Sequence, residues 1–214
     1  MTAALPELAE IERDALTEIV NIGVGRAARN LSTMIRSPVQ LSVPRVELLP
    51  LARAAELLAR RSGHSLVAVS QDFQGSFSGR ALLIFPEENS LELVRAVVGD
   101  GMDIDEIIDL EQEALAEIGN VILNGCLVVV ANMLRHGLSM SLPRVVRGSS
   151  RLVMADPAGP ADGDCVLFLR IDFSVAARDI DGYIALLMDL PSLAALRLLI
   201  GDFVAGIADG AAGA

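Results

Sequence analysis

Cysteine, histidine and basic residues are scarce in this 214-residue chain, and tryptophan is absent. The two cysteines, Cys126 and Cys165, sit in apolar stretches 39 positions apart without a paired neighbour of ligand type, so neither a disulfide framework nor a zinc site is expected. His64 and His136 have no Asp, Glu or Cys at ligand spacing, and no metal site is read from them. With 17 Lys+Arg against 28 Asp+Glu and a net charge of −11, the chain lacks the basic footprint that phosphate-backbone binding requires. Nucleic acid is therefore not an expected partner. The N-terminus, MTAALPELAEIERDAL, carries Glu7, Glu10 and Glu12 where a signal peptide needs a basic start and an unbroken apolar run. Apolar runs such as VILNGCLVVVANML are broken by Asn124, Asn132 and Arg135 before a span of about 18 to 20 residues. No membrane insertion and a cytoplasmic location are the expectation. No serine has a nucleophile-elbow context. Gly23 and Gly25 lie mid-helix with no strand before them, so they form no dinucleotide loop and would instead let a partner's backbone come close.

What the chain has is apolar content, 52% of residues, enough for one sizeable core. It also has an internal repeat. Sliding the sequence by 99 positions lays Asp14 on Glu113, Glu18 on Glu117, Asn21 on Asn120, Met34 on Met133 and Pro44-Arg45-Val46 on Pro143-Arg144-Val145. Further on the offset drifts to 103, where GRALLIF from Gly79 faces GYIALLM from Gly182. Loop insertion between fixed elements produces such a drift.

Periodicity predicts, in the first copy, a long helix over 7–35, a strand over 39–48 and a helix over 52–61. Strands over 66–73 and 77–85 and a helix over 87–98 follow. The second copy repeats this with a long helix over 106–134, strands over 138–146, 166–175 and 183–187, and a helix opened by Pro191. The predicted fold is α+β and two-layered, with internally duplicated αβαββα halves related by a pseudo-two-fold and long helices on a mainly antiparallel sheet. Residues 1–204 are expected to form a single domain of two repeats, about 1–103 and 104–204, with 205–214 as a flexible tail.

At about 100° per residue, Asp14, Glu18 and Asn21 share one narrow stripe of the first long helix, and Glu113, Glu117 and Asn120 share its counterpart on the second. Leu16, Val20, Gly23, Ala27, Leu31 and Met34 in one helix, and Leu115, Gly119, Ile122, Cys126, Val130 and Met133 in the other, form the core-facing sides. Asn124 stands where the first helix has Gly25. A single acid-x3-Glu-x2-Asn pattern is weak, since exposed acids and amides are ordinary on a solvated face. Two at one register, each with a proline 23 residues after the Asn, are a specific signal.

The pattern Asp/Ser-x3-Glu-x2-Asn-x22-Pro resembles the signature of the CheC, CheX and FliY phosphatases of chemotaxis. Asp14, Glu18, Asn21 and Pro44 match it in full, and the surrounding EIVNIGVGRAARNLSTMI and EIGNVILNG are similar to CheC's two signature helices. Glu113 departs from the Asp/Ser position of the second copy, leaving Glu117, Asn120 and Pro143 as its matches. Two intact Glu/Asn pairs favour CheC over CheX, which keeps one functional site per protomer. A FliY or FliM relationship would require a C-terminal rotor domain beyond Ala214.

The resemblance implies a hydrolase acting on the aspartyl phosphate of a CheY-like response regulator, with Glu18, Asn21, Glu117 and Asn120 as the catalytic set. Asn21 and Asn120 would orient water, and Glu18 and Glu117 would dock on the regulator's lysine. General-base roles for Asp14, Glu18, Glu113 or Glu117 are the rival assignment. Asp14, Glu113, Asn124 and Gly25 are assigned to binding the substrate protein, and Pro44 and Pro143 to the structural motif. No cofactor of its own is implied; Mg²⁺ belongs to the regulator's site. CheD is a further candidate partner. The alternatives are a non-catalytic adaptor for the regulator or CheD, and a motor-switch component related to FliM.

Overall fold

The computed structural model describes residues 8–42, 45–61, 65–98, 101, 103–155, 165–175 and 178–212. The first copy runs α1 (Glu10–Ile35), β1 (Val39–Leu41), β2 (Arg45–Pro50), α2 (Leu51–Arg61), β3 (Leu66–Gly75) and β4 (Gly79–Pro86), then a 3₁₀ turn (Glu87–Asn89) and α3 (Ser90–Val98). The second runs α4 (Ile104–Met133), β5 (Leu138–Met140), β6 (Arg144–Gly148), α5 (Ser150–Met154), β7 (Cys165–Val175), β8 (Arg178–Met188) and α6 (Leu190–Ala212). Kind and order repeat. Each half reads αββαββα where αβαββα was expected, because the single strands expected over 39–48 and 138–146 are each two shorter ones. In the second copy Pro143, with no N–H to give a ladder, lies between them. Pro44 lies outside the described residues. The short helix α5, capped by the Ser149 hydroxyl at the Leu152 N–H, is the counterpart of α2 that the duplicated αβαββα pattern implies.

The strands form one antiparallel sheet in the order β1-β7-β8-β4-β3-β5, with β2 also on β7 and β6 also on β3. The halves meet at its centre, where β4 pairs β8 from Arg80↔Leu187 to Ile84↔Tyr183. In the middle of that pairing Leu82 faces Ala185, its own equivalent 103 residues on, so the pseudo-two-fold passes through this pair. The left-handed residues repeat as well: Arg36 (φ 53°) and Arg135 (φ 58°), at the ends of the two long helices, lie 99 positions apart.

Alternation along the strands sends Val67, Val69, Leu83, Phe85, Leu167, Ile184 and Leu186 to one face, where α1, α3, α4 and α6 cover them. It sends Leu66, Ala68, Leu82, Ile84, Val166, Phe168 and Ala185 to the other, beneath α2 and α5. The expected two layers are therefore three, the third being thin. Runs such as LVAV and ALLIF, apolar at every position, are the mark of strands buried on both sides.

On the thicker face α1 and α4 lie against each other. A Cβ on Gly23 would stand 3.0 Å from the Cys126 backbone, and one on Gly125 would stand 3.0 Å from Ala27, so small residues set the spacing of the crossing. A second close approach joins α4 to the sheet: a Cβ on Gly119 would overlap the Cβ and both methyl groups of Val69 on β3. The helix α6 continues to Ala212, past the point where a tail was expected, in keeping with the helix preference of its alanines. Two helical stretches, 105–133 and 190–207, are long and apolar enough to cross a membrane by length and composition, which corrects the expectation that none would be. Uncharged Asn124 and Asn132 interrupt the first of them less than the sequence reading supposed. That segment is mostly buried inside the protein, and the second is mostly not.

The ends of the two copies are tied by one ion pair. Arg197 on α6 donates from its Nη2 to Glu12 Oε2 at 2.9 Å and from Nε to Oε1 at 3.3 Å, while the Ala9 N–H caps the same carboxylate at 2.8 Å. Burial raises the Glu12 pKa, but the Arg197 and Ala9 hydrogen bonds outweigh it, and the net shift is downward from the ordinary 4.5. A depressed carboxylate pKa contributes stability that is full above the unfolded value and is lost as pH falls through the folded one. Glu12→Gln is predicted to lower the unfolding free energy by about 1 kcal/mol at pH 7, with the gap to wild type closing below about pH 4. Urea melts across that range test it, and a gap that persists at low pH refutes the ion-pair account. Gly119→Ala is predicted to destabilise by about 1–3 kcal/mol despite its better helix propensity, because the methyl collides with a branched strand residue. A thermal melt at or above the wild-type midpoint would refute this.

Candidate functional site

The long helices bury one side and leave the stripe outside. Leu16, Val20, Ala27 and Leu31 of α1 are buried, as are Leu115, Ile122, Cys126 and Val130 of α4. Asp14 and Glu18 are exposed while Asn21 and Gly25 are half-buried; Glu113 and Glu117 are exposed while Asn120 and Asn124 are half-buried. Both stripes thus grade from carboxylate in solvent to amide near the protein body. Neither Asn is buried in the core, as the surface-site expectation requires.

The second site is built from three elements. Gln71, on β3 and 1% exposed, donates through Nε2 to Asn120 Oδ1 at 3.1 Å and to the Ser141 carbonyl at 3.0 Å. Asn124 Nδ2 donates to the same Asn120 Oδ1 at 2.6 Å. Ser141 follows β5 and is fastened to β3 twice, by its N–H to the Asp72 carbonyl and by its Oγ accepting from the Asp72 N–H, each at 2.9 Å. Leu142 comes next, 85% exposed, and then half-buried Pro143. The proline of the sequence motif is therefore joined to the motif asparagine through Ser141 and Gln71.

The first site shares the backbone plan but not these contacts. Asn21 makes no side-chain hydrogen bond among the described residues. Arg45 pairs Arg170 as Arg144 pairs Ser70, which puts Ile171 at the register position of Gln71. A Cβ on Gly25, at the position of Asn124, would meet only the Arg29 side chain, at 3.9 Å. Gly23 is occupied by the α1–α4 crossing, so the expectation that it admits a partner's backbone is corrected.

Charges near the second site are already paired. Asp72 accepts from Arg80 Nε at 2.7 Å and from Arg144 Nη2 at 2.9 Å. Arg147 on β6 reaches Glu111 of α4 at 2.6 Å and Glu87 at 3.3 Å, holding the first turns of α4 against the sheet edge. The Ser65 hydroxyl, with Arg147, holds the Glu87 carboxyl below its ordinary value against the opposing effect of burial. Burial pushes the Cys126 thiol up to about 12, which leaves no thiolate nucleophile there at neutral pH. His136 shares a hydrogen bond with Ser76 at 2.7 Å and lies in a turn contact; His64 lies outside the described residues. Among the described residues no three His, Cys, Asp or Glu side chains gather as a metal site would.

Sequence reasoning missed Gln71, Ser141 and Leu142. Gln71 had a signal, an amide inside the otherwise apolar strand LVAVSQDF. Ser141 and Leu142 had only their place before the motif proline.

Comparison with known proteins agrees with this layout. Residues 67–161 match the family described as Chemotaxis phosphatase CheX, and residues 11–48 match the CheC-like family. Each match contains one complete stripe with its proline. The flagellar motor switch phosphatase FliY of Bacillus subtilis (strain 168) is 26% identical over 141 residues, 65% of this chain and 36% of that protein. The CheY-P phosphatase CheC of the same organism is 25% identical over 142 residues, 64% of this chain and 66% of that protein. The chain thus matches about a third of the one and just under two thirds of the other. Among solved structures, Thermotoga maritima FliY superposes with a TM-score of 0.73 at 17% identity, covering 92% of this chain and 100% of that one. FliM from H. pylori, solved with SpeE, gives 0.66 at 12% identity, covering 92% and 97%. In its two signature helices and in its fold the chain is thus similar to the CheC, CheX and FliY proteins.

Proposed function

We propose that this chain is a protein phosphatase that hydrolyses the aspartyl phosphate of a phosphorylated CheY-like response regulator in chemotaxis signalling, and that it works in the cytoplasm. One observation carries the reading. A Glu in solvent and an amide half-buried one turn later occur twice, on helices packed side by side. The relatives named CheY-P phosphatase CheC and motor switch phosphatase FliY supply the substrate class.

The chemistry asks little of the protein's own side chains beyond placement. In the hydrolysis a water oxygen forms a bond to phosphorus, the bond from phosphorus to the aspartyl oxygen breaks, and the aspartate leaves as a carboxylate. The water's protons pass to inorganic phosphate and solvent. An acyl phosphate is already activated, so holding water in line supplies most of what is needed. Asn21 or Asn120 holds that water. Mg²⁺ in the regulator's own site neutralises phosphoryl charge. Glu18 and Glu117, free in solvent and a turn away, dock on the regulator's lysine by a charge-assisted bond. Asp14 and Glu113 extend the same acidic edge.

Asn21→Ala combined with Asn120→Ala is predicted to cut turnover of the phosphorylated regulator by at least about 100-fold while affinity stays within about three-fold, since the amide acts chiefly in the transition state. Phosphate release and regulator titration measure the two quantities, and wild-type turnover in the double variant would refute the assignment. Glu18→Lys with Glu117→Lys is predicted to reduce regulator affinity by at least about ten-fold with an unchanged melting midpoint, because both positions are exposed. Loss of fold would make these glutamates structural instead.

A further inference from the structure

We propose that Gln71 and Asn124 are positioning residues that hold the Asn120 carboxamide in one orientation, so that the second site offers its substrate a fixed hydrogen-bond donor and the first site does not. This rests on the phosphatase reading above.

The orientation follows from donor and acceptor bookkeeping. The Ser141 carbonyl can only accept, so the Gln71 atom facing it is the amide nitrogen. That same nitrogen also faces Asn120, which must therefore present its oxygen. Asn124 in turn gives its nitrogen to that oxygen. Two donors fill the two lone pairs of Asn120 Oδ1. Its Nδ2 makes no hydrogen bond among the described residues. A water that accepts one hydrogen bond from Nδ2 keeps another lone pair for attack on phosphorus. Turning the Asn120 amide round would set nitrogen against nitrogen at Gln71, whose own orientation the Ser141 carbonyl fixes.

The arrangement is also incomplete without more donors. Gln71 Oε1 and Asn124 Oδ1 are buried and have no hydrogen-bond partner among the described residues. Each such atom is costly, and a fully apolar alternative would avoid it. The register position equivalent to Gln71 at the first site, on β7, is indeed apolar, Ile171. Gly119 supplies the geometry. Its lack of a side chain lets α4 settle on Val69, two residues along β3 from Gln71. The equivalent position in α1 is Val20, which is buried and has a branched side chain. Three differences, Gly119 for Val20, Asn124 for Gly25 and Gln71 for Ile171, thus build one device at one site, with α4 from the second copy and β3 from the first.

The proposal makes the second site the stronger, although Asp14 matches the family pattern and Glu113 departs from it. The test uses Asn21→Ala protein, whose turnover comes from the second site, and Asn120→Ala protein, whose turnover comes from the first. The substrate is a CheY-like regulator phosphorylated with a small phosphodonor and Mg²⁺. Adding Gln71→Leu to Asn21→Ala protein should lower kcat by about ten-fold or more with KM within about three-fold. Added to Asn120→Ala protein it should produce no comparable loss. Equal losses in both backgrounds would show a merely structural role, and no loss in the first would remove the role altogether; either overturns the proposal. Should Gln71→Leu not fold, Asn124→Ala at its half-buried helix position carries the same comparison, with the same outcomes deciding. Wild-type protein that binds the regulator but turns none of it over would instead refute the phosphatase reading, and this proposal would fall with it.

Discussion

The pairing of β4 with β8 is the interaction on which the rest of the molecule depends. Each copy alone would end its hairpin in an unpaired strand, and the two edges satisfy each other around the Leu82–Ala185 pair. Once they do, the sheet is continuous and the positions of everything laid on it are fixed. The long helices come together on one face because each copy's β1–β2 or β5–β6 segment crosses to the other copy's hairpin and carries its helix there by the same path. They can approach closely because Gly23 and Gly125 leave room where they cross. Two stripes of Glu and Asn are then carried on one layer.

The repeat, the helices and the stripes were legible because each is written in a local period. The 99-residue register needs no knowledge of contacts, and the angles of Asp14, Glu18 and Asn21 follow from helix geometry alone. The third layer was less so. Its signal lies in strands apolar at every position, a pattern that requires cover on both faces without naming the helices that supply it. The helix α5 is too short for any period to announce it. Gln71 was illegible for a different reason: it meets Asn120 across 49 residues, through a strand register and a helix approach that only the folded chain defines.

Duplication produced two equal backbones, and the differences between the copies are not scattered. Position by position, the second site carries the smaller residue where the helix meets the sheet and the polar residues, one from each copy, where the amide needs a partner. A helix held close to a strand can exchange hydrogen bonds with it. An amide without such a partner is left to solvent or to a docked protein. The amide of Asn21 is therefore free to choose its orientation after a partner arrives, whereas that of Asn120 has it settled beforehand. Preorganisation of this kind lowers the reorganisation a reaction must undergo, and the unpartnered oxygens of Gln71 and Asn124 mark its cost in stability.

The charges around the second site constrain the chemistry in the same direction. Arg80 and Arg144 meet on Asp72, and Arg147 lies between Glu87 and Glu111, so the nearest cations are engaged with the sheet and with the start of α4. Swinging one toward a phosphoryl group would break an ion pair that holds the site's own framework. What the stripe itself presents is carboxylate and amide. A surface so equipped is poorly suited to neutralising a phosphate and well suited to gripping a cationic side chain and aligning a water. On the proposed reading the neutralising charge comes with the substrate, and a phosphorylated protein with its own lysine and metal ion would meet that requirement where a free phosphate ester would not.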